Sequence, residues 1–380
     1  MKSNFDLNQT PLVVIWEVTR ACDLACFHCR ASAQPQRNSL ELSTMEGKKL
    51  LDDIAQLNPP IFIFTGGDPL KRPDIYELVK YAADKGLHPA MTPSATPLLN
   101  GHSLLHLKQA GLHRLALSLD GPTPALHDCF RGVAGSFART LDAMYWANSI
   151  GLPVQINTTI SRRNIAELEN VLSVIRNFRI VMWSLFFMVP TGRAEAADLL
   201  SAEEVENAFA RIYRIAQAVP FKVKTTEAQH YRRYLLQQRR RKDRGESLGN
   251  GVPGILPINE GKGFMFISHT GEVQPSGFLP VSVGNVRHAS VSDIYRNSEL
   301  FQQLRNINNL RGKCGDCEFR EICGGSRARA YALSGDAFAE DPSCAYVPKA
   351  RKAKPSELKC GNDRQCPHQI REDEPATSCG

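Results

Sequence analysis

Three cysteines near the start of the chain, Cys22, Cys26 and Cys29, have the spacing of a group that binds a metal cluster. They lie in the stretch EVTRACDLACFHC, directly after an apolar run. Three thiolates this close together can ligate three irons of a cubane iron–sulfur cluster, which leaves the fourth iron open to a small molecule. A zinc site needs a fourth ligand, and His28 suits it poorly because adjacent side chains converge badly on one metal. The N-terminus does not read as an export signal, so a disulfide framework is not expected.

A second set of four cysteines, Cys314, Cys317, Cys323 and Cys344, lies near the other end of the chain. A site with four thiolate ligands suits either zinc or an iron–sulfur cluster, and the spacing alone does not distinguish the two. Cys129 has no cysteine neighbour and is expected to be a small buried apolar residue. The remaining thiols lie in a polar C-terminal tail and are expected to be spare: Cys360, Cys366 and Cys379. Metal binding by Cys360 and Cys366 is the less favoured alternative.

The spacing of Cys22, Cys26 and Cys29, together with the aromatic Phe27, resembles that of the radical S-adenosylmethionine (radical SAM) superfamily. The resemblance implies that the open iron chelates the amino and carboxylate groups of SAM. It also implies that the reduced cluster cleaves SAM to methionine and a 5′-deoxyadenosyl radical, which abstracts hydrogen from the substrate. Such an enzyme takes its electrons from an external donor such as a flavodoxin or a ferredoxin.

The same resemblance implies which residues contact SAM. Gly66, Gly67 and Asp68 resemble the family's GGE-type motif, which binds the SAM amino group, with Asp in place of the commoner Glu. Ser118 and Arg131 match positions that contact SAM, and an Arg can grip the methionyl carboxylate with two nitrogens. The motif is weak when taken alone, since a tight turn explains Gly66 and Gly67 equally well.

Further polar residues follow the other predicted strands and are expected around the same cofactor. We expect Ser94 to line the rim, although a proline-driven turn explains it equally well. Asp120 is predicted to bind the ribose or a substrate group, and Asn157 to reach the ribose or the methionine moiety. Arg193 is predicted to face either the adenine or the substrate.

The elements that must position these residues alternate between apolar strands and amphipathic helices. The predicted strands are 12–18, 61–65, 88–92, 114–119, 154–159 and 181–189, and the predicted helices between them are 45–57, 73–85, 103–110, 137–150 and 165–176. This order predicts a parallel sheet covered by helices, with the chemistry at the carboxyl ends of the strands. The pattern does not distinguish a doubly wound sheet from a barrel; the resemblance implies a partial (β/α)6 TIM-like barrel.

The region after the predicted barrel resembles the SPASM/twitch extension, which carries auxiliary [4Fe–4S] clusters. It begins with a predicted hairpin, 263–268 and 272–275, followed by a helix over 291–306. Two serines, Ser276 and Ser326, stand where a full SPASM domain has cysteines. The resemblance therefore implies one auxiliary cluster, ligated by Cys314, Cys317, Cys323 and Cys344. The predicted domains are a core barrel over 1–225, a connector or lid over 226–262, the auxiliary cluster domain over 263–350 and a flexible polar tail over 351–380.

The stretch 324–348 narrows the resemblance to the radical SAM enzymes of haem d1 and alternative haem biosynthesis. These act on propionate or related side chains of tetrapyrroles, so oxidative tailoring of a haem-type side chain is the expected function. The stretch also resembles radical SAM maturases of ribosomal peptides, which keeps a peptide substrate as the alternative. A non-catalytic zinc-binding protein is the distant third. Arg327 and Arg329 are expected either to clamp the auxiliary loop or a carboxylate, or to lie on a helix surface.

Length and charge add limits of their own. The 380 residues suffice for one large and one smaller domain, and 42% of them are hydrophobic, as in ordinary soluble proteins. No run has the roughly 18 apolar residues of a membrane helix, and the cysteine content favours a reducing compartment, the cytoplasm. The net charge of +7 owes much to the basic run 232–244. We expect this run to be a solvated helix face; binding of nucleic acid or an acidic peptide is the less favoured interpretation.

Overall fold

The computed structural model describes residues 6–242 and 256–352. Residues 353–380 of the predicted tail, with Cys360, Cys366 and Cys379, and residues 243–255 of the predicted connector lie outside these residues.

Strands and helices alternate over the first two-thirds of the chain. The strands are β1 (Val13–Glu17), β2 (Ile61–Thr65), β3 (Pro89–Met91), β4 (Arg114–Ser118), β5 (Val154–Ile160), β6 (Met182–Phe187), β7 (Lys222–Thr226), β8 (Asn259–Glu260), β9 (Gly263–Ile267), β10 (Glu272–Gln274) and β11 (Gly284–Asn285). The helices are α1 (Thr44–Leu57), α2 (Ile75–Asp84), α3 (Gly101–Gln109), α4 (Pro124–Arg131), α5 (Ser136–Ser149), α6 (Leu168–Ile175), α7 (Ala202–Ala218), α8 (Tyr231–Lys242), α9 (Val291–Asn297), α10 (Glu299–Arg305), α11 (Gly312–Gly315), α12 (Arg327–Ser334) and α13 (Lys349–Lys352).

All the described strands belong to one curved sheet whose central part is parallel. The order is β11-β10-β9-β1-β2-β3-β4-β5-β6-β7, and β8 pairs with β9. Strands β1 to β7 pair in parallel with their neighbours along the chain. Because β7 and β11 are the two ends of this order, the barrel is open in the described part of the chain. The six predicted strands and the partial barrel are confirmed, and β7 is a further parallel strand.

Alternation along β5 explains why this strand presents polar side chains to the inside of the barrel. In β5, Val154, Ile156, Thr158 and Ile160 are buried, whereas Gln155, Asn157 and Thr159 between them are only half-buried. The first set faces the helices, and the second faces the lumen of the open barrel. Burying one large apolar side chain under the helices contributes roughly 1.5–3 kcal/mol. The outer layer thus stabilises the fold and leaves the lumen free for polar side chains.

Helix α1 shows how local sequence starts the helices that cover this sheet. The Ser43 side chain accepts a hydrogen bond from the Glu46 backbone, and the Glu46 side chain accepts one from the Ser43 backbone. This capping box satisfies amides that the first helical turn leaves without partners. Leu50, Leu51 and Ile54 then form the buried face of the helix.

The C-terminal region is joined to the barrel through the sheet itself. Strand β9 pairs in parallel with β1 and antiparallel with β10, which confirms the predicted hairpin. The sheet therefore continues across the boundary predicted at residue 263, and the domain boundaries stay a prediction. No described helix has both the length and the hydropathy needed to cross a membrane.

Two local expectations are wrong, and a third is correct only in part. The helix predicted over 291–306 is two helices, because the Ser298 side chain accepts a hydrogen bond from the Phe301 amide and caps a new helix. Cys129 is exposed, since α4 buries His127 and Phe130 and turns Cys129 outward. The basic run is only partly a solvated face: Arg233 is buried and pairs with Glu206, whereas Arg239 and Arg240 are exposed.

Candidate functional site

The loop after β1 brings Cys22, Cys26 and Cys29 together in the wall of one cavity at the carboxyl ends of the strands. The cavity measures about 200 Å³. The loop is held against the end of α4, since the Ala25 amide donates to the Arg131 carbonyl at 3.0 Å and the Phe27 amide to the Phe130 carbonyl at 3.3 Å. Residues that lie more than a hundred positions apart in sequence thus set the path of the cysteine loop.

Two glycines are required for this close docking. Gly132 has φ +67° and Gly192 has φ +69°, in the left-handed region that favours glycine. A Cβ atom at Gly132 would lie 2.6 Å from the Ala25 carbonyl oxygen, and one at Gly192 would lie 2.3 Å from that of Cys29. Both glycines therefore let neighbouring loops approach the backbone of the cysteine loop.

Gly66 and Gly67 line the cavity, but the neighbouring Asp68 does not. A Cβ atom at either glycine would lie 2.4 Å from a carbonyl oxygen of the cysteine loop. The Asp68 carboxylate is fully buried and accepts hydrogen bonds from the Leu70 amide, the Ser94 amide and the Thr96 hydroxyl. This geometry makes Asp68 a positioning residue behind the wall and does not offer the direct contact with an ammonium that the sequence suggested.

Ser94 and Ser118 both line the cavity, as their places after strands predicted. The Ser94 hydroxyl donates to the Gly67 carbonyl at 2.8 Å and lies 3.2 Å from the Cys22 sulfur. Ser94 therefore connects the cysteine loop with the Gly66–Gly67 turn and gives the cavity a polar wall.

Arg131 and Asp120 form a buried ion pair beside Cys26. Arg131 lines the cavity, and one of its nitrogens lies 3.8 Å from the Cys26 sulfur; Asp120 lies behind it. Burial opposes ionisation of Asp120, but the Arg131 guanidinium outweighs it and holds the pKa of that carboxyl below its ordinary value. Asp120 thus orients Arg131, and a direct contact of Asp120 with a cofactor or substrate is not offered by this arrangement.

Arg193 and Asn157 lie elsewhere than the sequence suggested. The Arg193 side chain donates to the carbonyls of Cys26 at 2.9 Å and of Ala33 at 3.2 Å, and its amide donates to the Cys29 carbonyl at 3.0 Å. It is a clamp on the cysteine loop and does not line the cavity. Asn157 accepts from Gln155 and lines a second cavity, deeper in the barrel.

The donor set of the first cavity fits a cluster better than a single metal ion. In the described part of the chain, no group of three or more Cys, His, Asp or Glu side chains is arranged to hold one ion. Ligands of a cubane cluster each bind a different iron, so they need not converge. Buried nitrogens of His28 and Arg131, which line the cavity, have no hydrogen-bond partner among the described residues. Such groups suit a polar ligand in this space.

Arg30 and Glu17 belong to the site although sequence reasoning did not select them. Arg30 lines both cavities, pairs with Glu17 at 2.8 Å and lies 4.6 Å over the Phe266 ring. Burial opposes ionisation of Glu17, but Arg30, His269 and Arg20 together lower its pKa to about 2. Their positions next to the cysteine motif were the only sequence signal available.

The second cavity, here called the lumen cavity, measures about 220 Å³ and continues from the first. Both are lined by Arg30, Arg131, Ser118 and Phe278. Its other walls combine aromatic, aliphatic and polar side chains, among them Phe186, Phe264, Phe266, Gln155, Asn157 and Glu227. A flat, largely apolar substrate would find aromatic contacts here, next to the cysteine loop.

Cys314, Cys317, Cys323 and Cys344 line one small cavity in the C-terminal region. Backbone amides of Gly325 and Asp341 point at the sulfurs of Cys323 and Cys314, each at 3.4 Å. Burial raises the pKa of Cys344 to about 11 and also raises that of Cys323. A cluster bound here would have to displace these protons and would then satisfy the buried thiolates.

Arg327 and Arg329 are both buried, so the helix-surface alternative is wrong for them. Arg327 donates to the carbonyls of Ala337 and Ala339 and lies 3.7 Å from the Cys314 sulfur. Arg329 donates to the Glu227 carbonyl at the end of β7. Arg327 therefore clamps the auxiliary cysteine loop, as one alternative predicted. Arg329 connects that loop to the barrel.

An open parallel barrel with a cysteine loop at its strand ends and a second cysteine set beyond it defines an iron–sulfur protein of the α/β class. A model of the radical SAM superfamily matches residues 16–175, and a model of the SPASM iron–sulfur cluster-binding domain matches residues 259–318.

Relatives agree with these matches. The chain is 41% identical over 350 residues to the AdoMet-dependent heme synthase of Nitratidesulfovibrio vulgaris. The aligned region covers 90% of this chain and 95% of the relative. It is 30% identical over 373 residues to the PqqA peptide cyclase of Rhodopseudomonas palustris, covering 93% of each. Streptococcus suis SuiB bound to S-adenosylmethionine has the same fold, with a TM-score of 0.69 at 16% identity over 89% of this chain and 78% of that one.

The chain belongs to the radical SAM superfamily. It is an oxidoreductase-type enzyme whose cofactors are S-adenosylmethionine, a [4Fe–4S] cluster and an auxiliary iron–sulfur cluster. This membership replaces the zinc-binding alternative.

Proposed function

We propose that this enzyme oxidatively tailors a side chain of a haem-type tetrapyrrole in the cytoplasm, with electrons from a flavodoxin or ferredoxin. The observation that carries the proposal is the 41% identity, over nine-tenths of both chains, to a protein named AdoMet-dependent heme synthase. The lumen cavity supports it, because aromatic walls beside Arg30 and Arg131 suit a flat macrocycle with carboxylate substituents.

Cys22, Cys26 and Cys29 are the proposed ligands of the cluster that binds SAM. When bound, this pair of cofactors supplies the radical that removes hydrogen from the substrate. Gly66, Gly67, Ser94, Ser118 and Arg131 line the space that SAM would occupy, and Arg131 is placed for its carboxylate. Asp68, Asp120 and Arg193 act behind this wall and keep the loops and Arg131 in position.

Cys314, Cys317, Cys323 and Cys344 are the proposed ligands of the auxiliary cluster. Hydrogen abstraction leaves one electron too many on the substrate for a closed-shell oxidised product, so an acceptor is needed. The Arg329 contact with Glu227 places the auxiliary loop directly behind the lumen cavity, which Glu227 lines. We therefore propose that the auxiliary site receives this electron. Loss of a carboxyl group as carbon dioxide is the oxidation that best suits a propionate substituent.

The test is anaerobic turnover of the reconstituted enzyme with SAM, a reductant and iron coproporphyrin III, which has four propionate side chains. Mass spectrometry should find a product that has lost one carbon dioxide and two hydrogen atoms at one propionate. It should also find 5′-deoxyadenosine. The cluster-free enzyme is the control. Porphyrin recovered unchanged while 5′-deoxyadenosine accumulates would refute the proposal and direct attention to peptide substrates.

A further inference from the structure

The open side of the barrel contains a third cavity, here called the seam cavity, between β7 and the segment 258–264. It measures about 50 Å³, and its polar lining consists of Lys224, Thr225, Thr226, Glu227, Gln229, Arg232, Asn259, Glu260 and Ser276. Thr226, Glu227, Phe264 and Ser276 line both this cavity and the lumen cavity. The two cavities therefore adjoin each other at these residues.

The two carboxyl groups of the seam cavity already contact each other and accept hydrogen bonds from the auxiliary loop. Glu227 and Glu260 are 6% and 3% exposed, and the Ser326 hydroxyl lies 2.6 Å from Glu227 Oε2 and 3.3 Å from Glu260 Oε1. The Ala328 amide donates to Glu260 at 3.0 Å. Burial and the adjacent Glu260 raise the pKa of Glu227 well above its ordinary value.

The two cations of the seam cavity lack such partners. Neither Lys224 nor Arg232 forms an ion pair with a residue that the structure describes; the Arg232 guanidinium donates to the Ile322 carbonyl at 3.1 Å. Lys224 is an exposed residue of β7, yet the protein wall around its ammonium group and the nearby Arg232 and Arg114 lower its pKa. Lys224 and Arg232 repel each other, and a further anion in the cavity would relieve this repulsion.

We propose that the seam cavity is a subsite for a carboxylate substituent of the substrate, bound by Lys224 and Arg232. The inference rests on the proposed function, since it assigns the subsite to a propionate of a tetrapyrrole whose macrocycle lies in the lumen cavity. A lysine at an open edge is ordinarily just hydrated. Here the lysine is beside a second unpaired cation in a concave wall that the substrate cavity shares, which is the arrangement that recognises an anionic group.

Binding of iron coproporphyrin III and of its tetramethyl ester to the reconstituted enzyme tests the subsite. Affinity is read from the Soret absorbance in one detergent-containing buffer, without turnover. Lys224→Met should weaken binding of the acid about tenfold, the usual effect of losing a hydrogen bond to a charged group. The ester has no carboxylate charge, so its affinity should not change. Lys224→Arg should retain affinity for the acid. Lys222→Met is the matched control, because Lys222 is exposed on the same strand and lines none of the three cavities.

The outcomes separate the subsite from the proposed function. A loss confined to Lys224→Met and to the acid supports the subsite. Equal affinity of the parent and Lys224→Met for the acid overturns the subsite while the tetrapyrrole assignment stands. An equal loss for acid and ester also overturns it, because the variant then acts on the macrocycle or the fold. A parent enzyme that binds neither porphyrin overturns both proposals.

Discussion

The Glu17 carboxylate at the end of β1 lies 3.0 Å from Nδ1 of His269, which stands 252 positions later in the turn of the β9–β10 hairpin. Glu17 also pairs with Arg30, the residue that follows Cys29. One buried carboxylate therefore joins the C-terminal hairpin to the cysteine loop. The two regions thus share one buried group beside the proposed SAM site.

The Glu17 contacts predict a specific acid dependence of stability. The folded pKa is about 2, below the ordinary value of 4.5, so the stabilisation is complete above pH 4.5 and is lost as the pH falls through 2. This shift corresponds to about 3 kcal/mol. Urea unfolding of the cluster-free parent and of Glu17→Gln should therefore give free energies that differ at pH 6 and converge towards pH 2. A constant difference over this range would show that the ion pairs of Glu17 are not the cause.

Iron content tests the two proposed cluster sites. Three plus four cysteine ligands predict two [4Fe–4S] clusters, or about eight irons per chain, after anaerobic reconstitution. The triple variant with alanine at Cys22, Cys26 and Cys29 should keep about four. The exposed Cys129 supplies the control, because Cys129→Ala should leave the iron content unchanged. Unchanged iron in the triple variant contradicts the assignment.

Arg131→Ala should weaken SAM binding, because the proposed carboxylate contact loses its cation in a buried setting. Removing one partner of a desolvated charge pair typically costs about 2–5 kcal/mol. Asp120→Asn should have a smaller effect in the same direction, since Asp120 only orients Arg131. Calorimetry on samples matched for iron content measures both. Arg162→Ala is the control, because Arg162 lies in an exposed pair with Glu204. An Arg131→Ala affinity within twofold of the parent would reject the contact.

Arg193→Ala should release the cysteine loop rather than remove a SAM contact. Its side chain holds the carbonyls of Cys26 and Ala33, so the variant should lose iron from the first site and keep the auxiliary cluster. Electron paramagnetic resonance distinguishes the two clusters. SAM affinity per remaining first-site cluster should equal that of the parent. Full iron content with weak SAM binding would instead restore the direct role that the sequence suggested for Arg193.

Cys344→Ala should separate the two halves of the reaction. SAM cleavage should continue, because the radical arises at the first site, but finished product should fail to appear for lack of an electron acceptor. The measurement is 5′-deoxyadenosine and product side by side, with circular dichroism to confirm folding. Joint loss of both activities with misfolding would make the auxiliary site a structural staple. A folded variant that forms product at the parent rate contradicts both roles.

Much of the architecture follows from short-range sequence patterns. The alternation of apolar strands with helices predicted the parallel sheet, and three cysteines within eight residues identified the cluster loop, because these signals depend on neighbouring positions. Gly66, Gly67, Ser94 and Ser118 were predicted correctly to reach one rim, since the ends of parallel strands meet at one edge of a sheet.

The tertiary structure alone decided which polar residues face the cavity and which stand behind it. Asp68, Asp120 and Arg193 are near the rim in sequence, yet their side chains are turned into the wall by hydrogen bonds to loops far away in the chain. Conversely, Arg30 and the seam residues Lys224 and Glu227 face the open space. Burial and long-range partners fix the direction of a side chain, and no local pattern records either of them. The chain order thus places residues at the edge of the sheet, and packing selects those that meet the ligand.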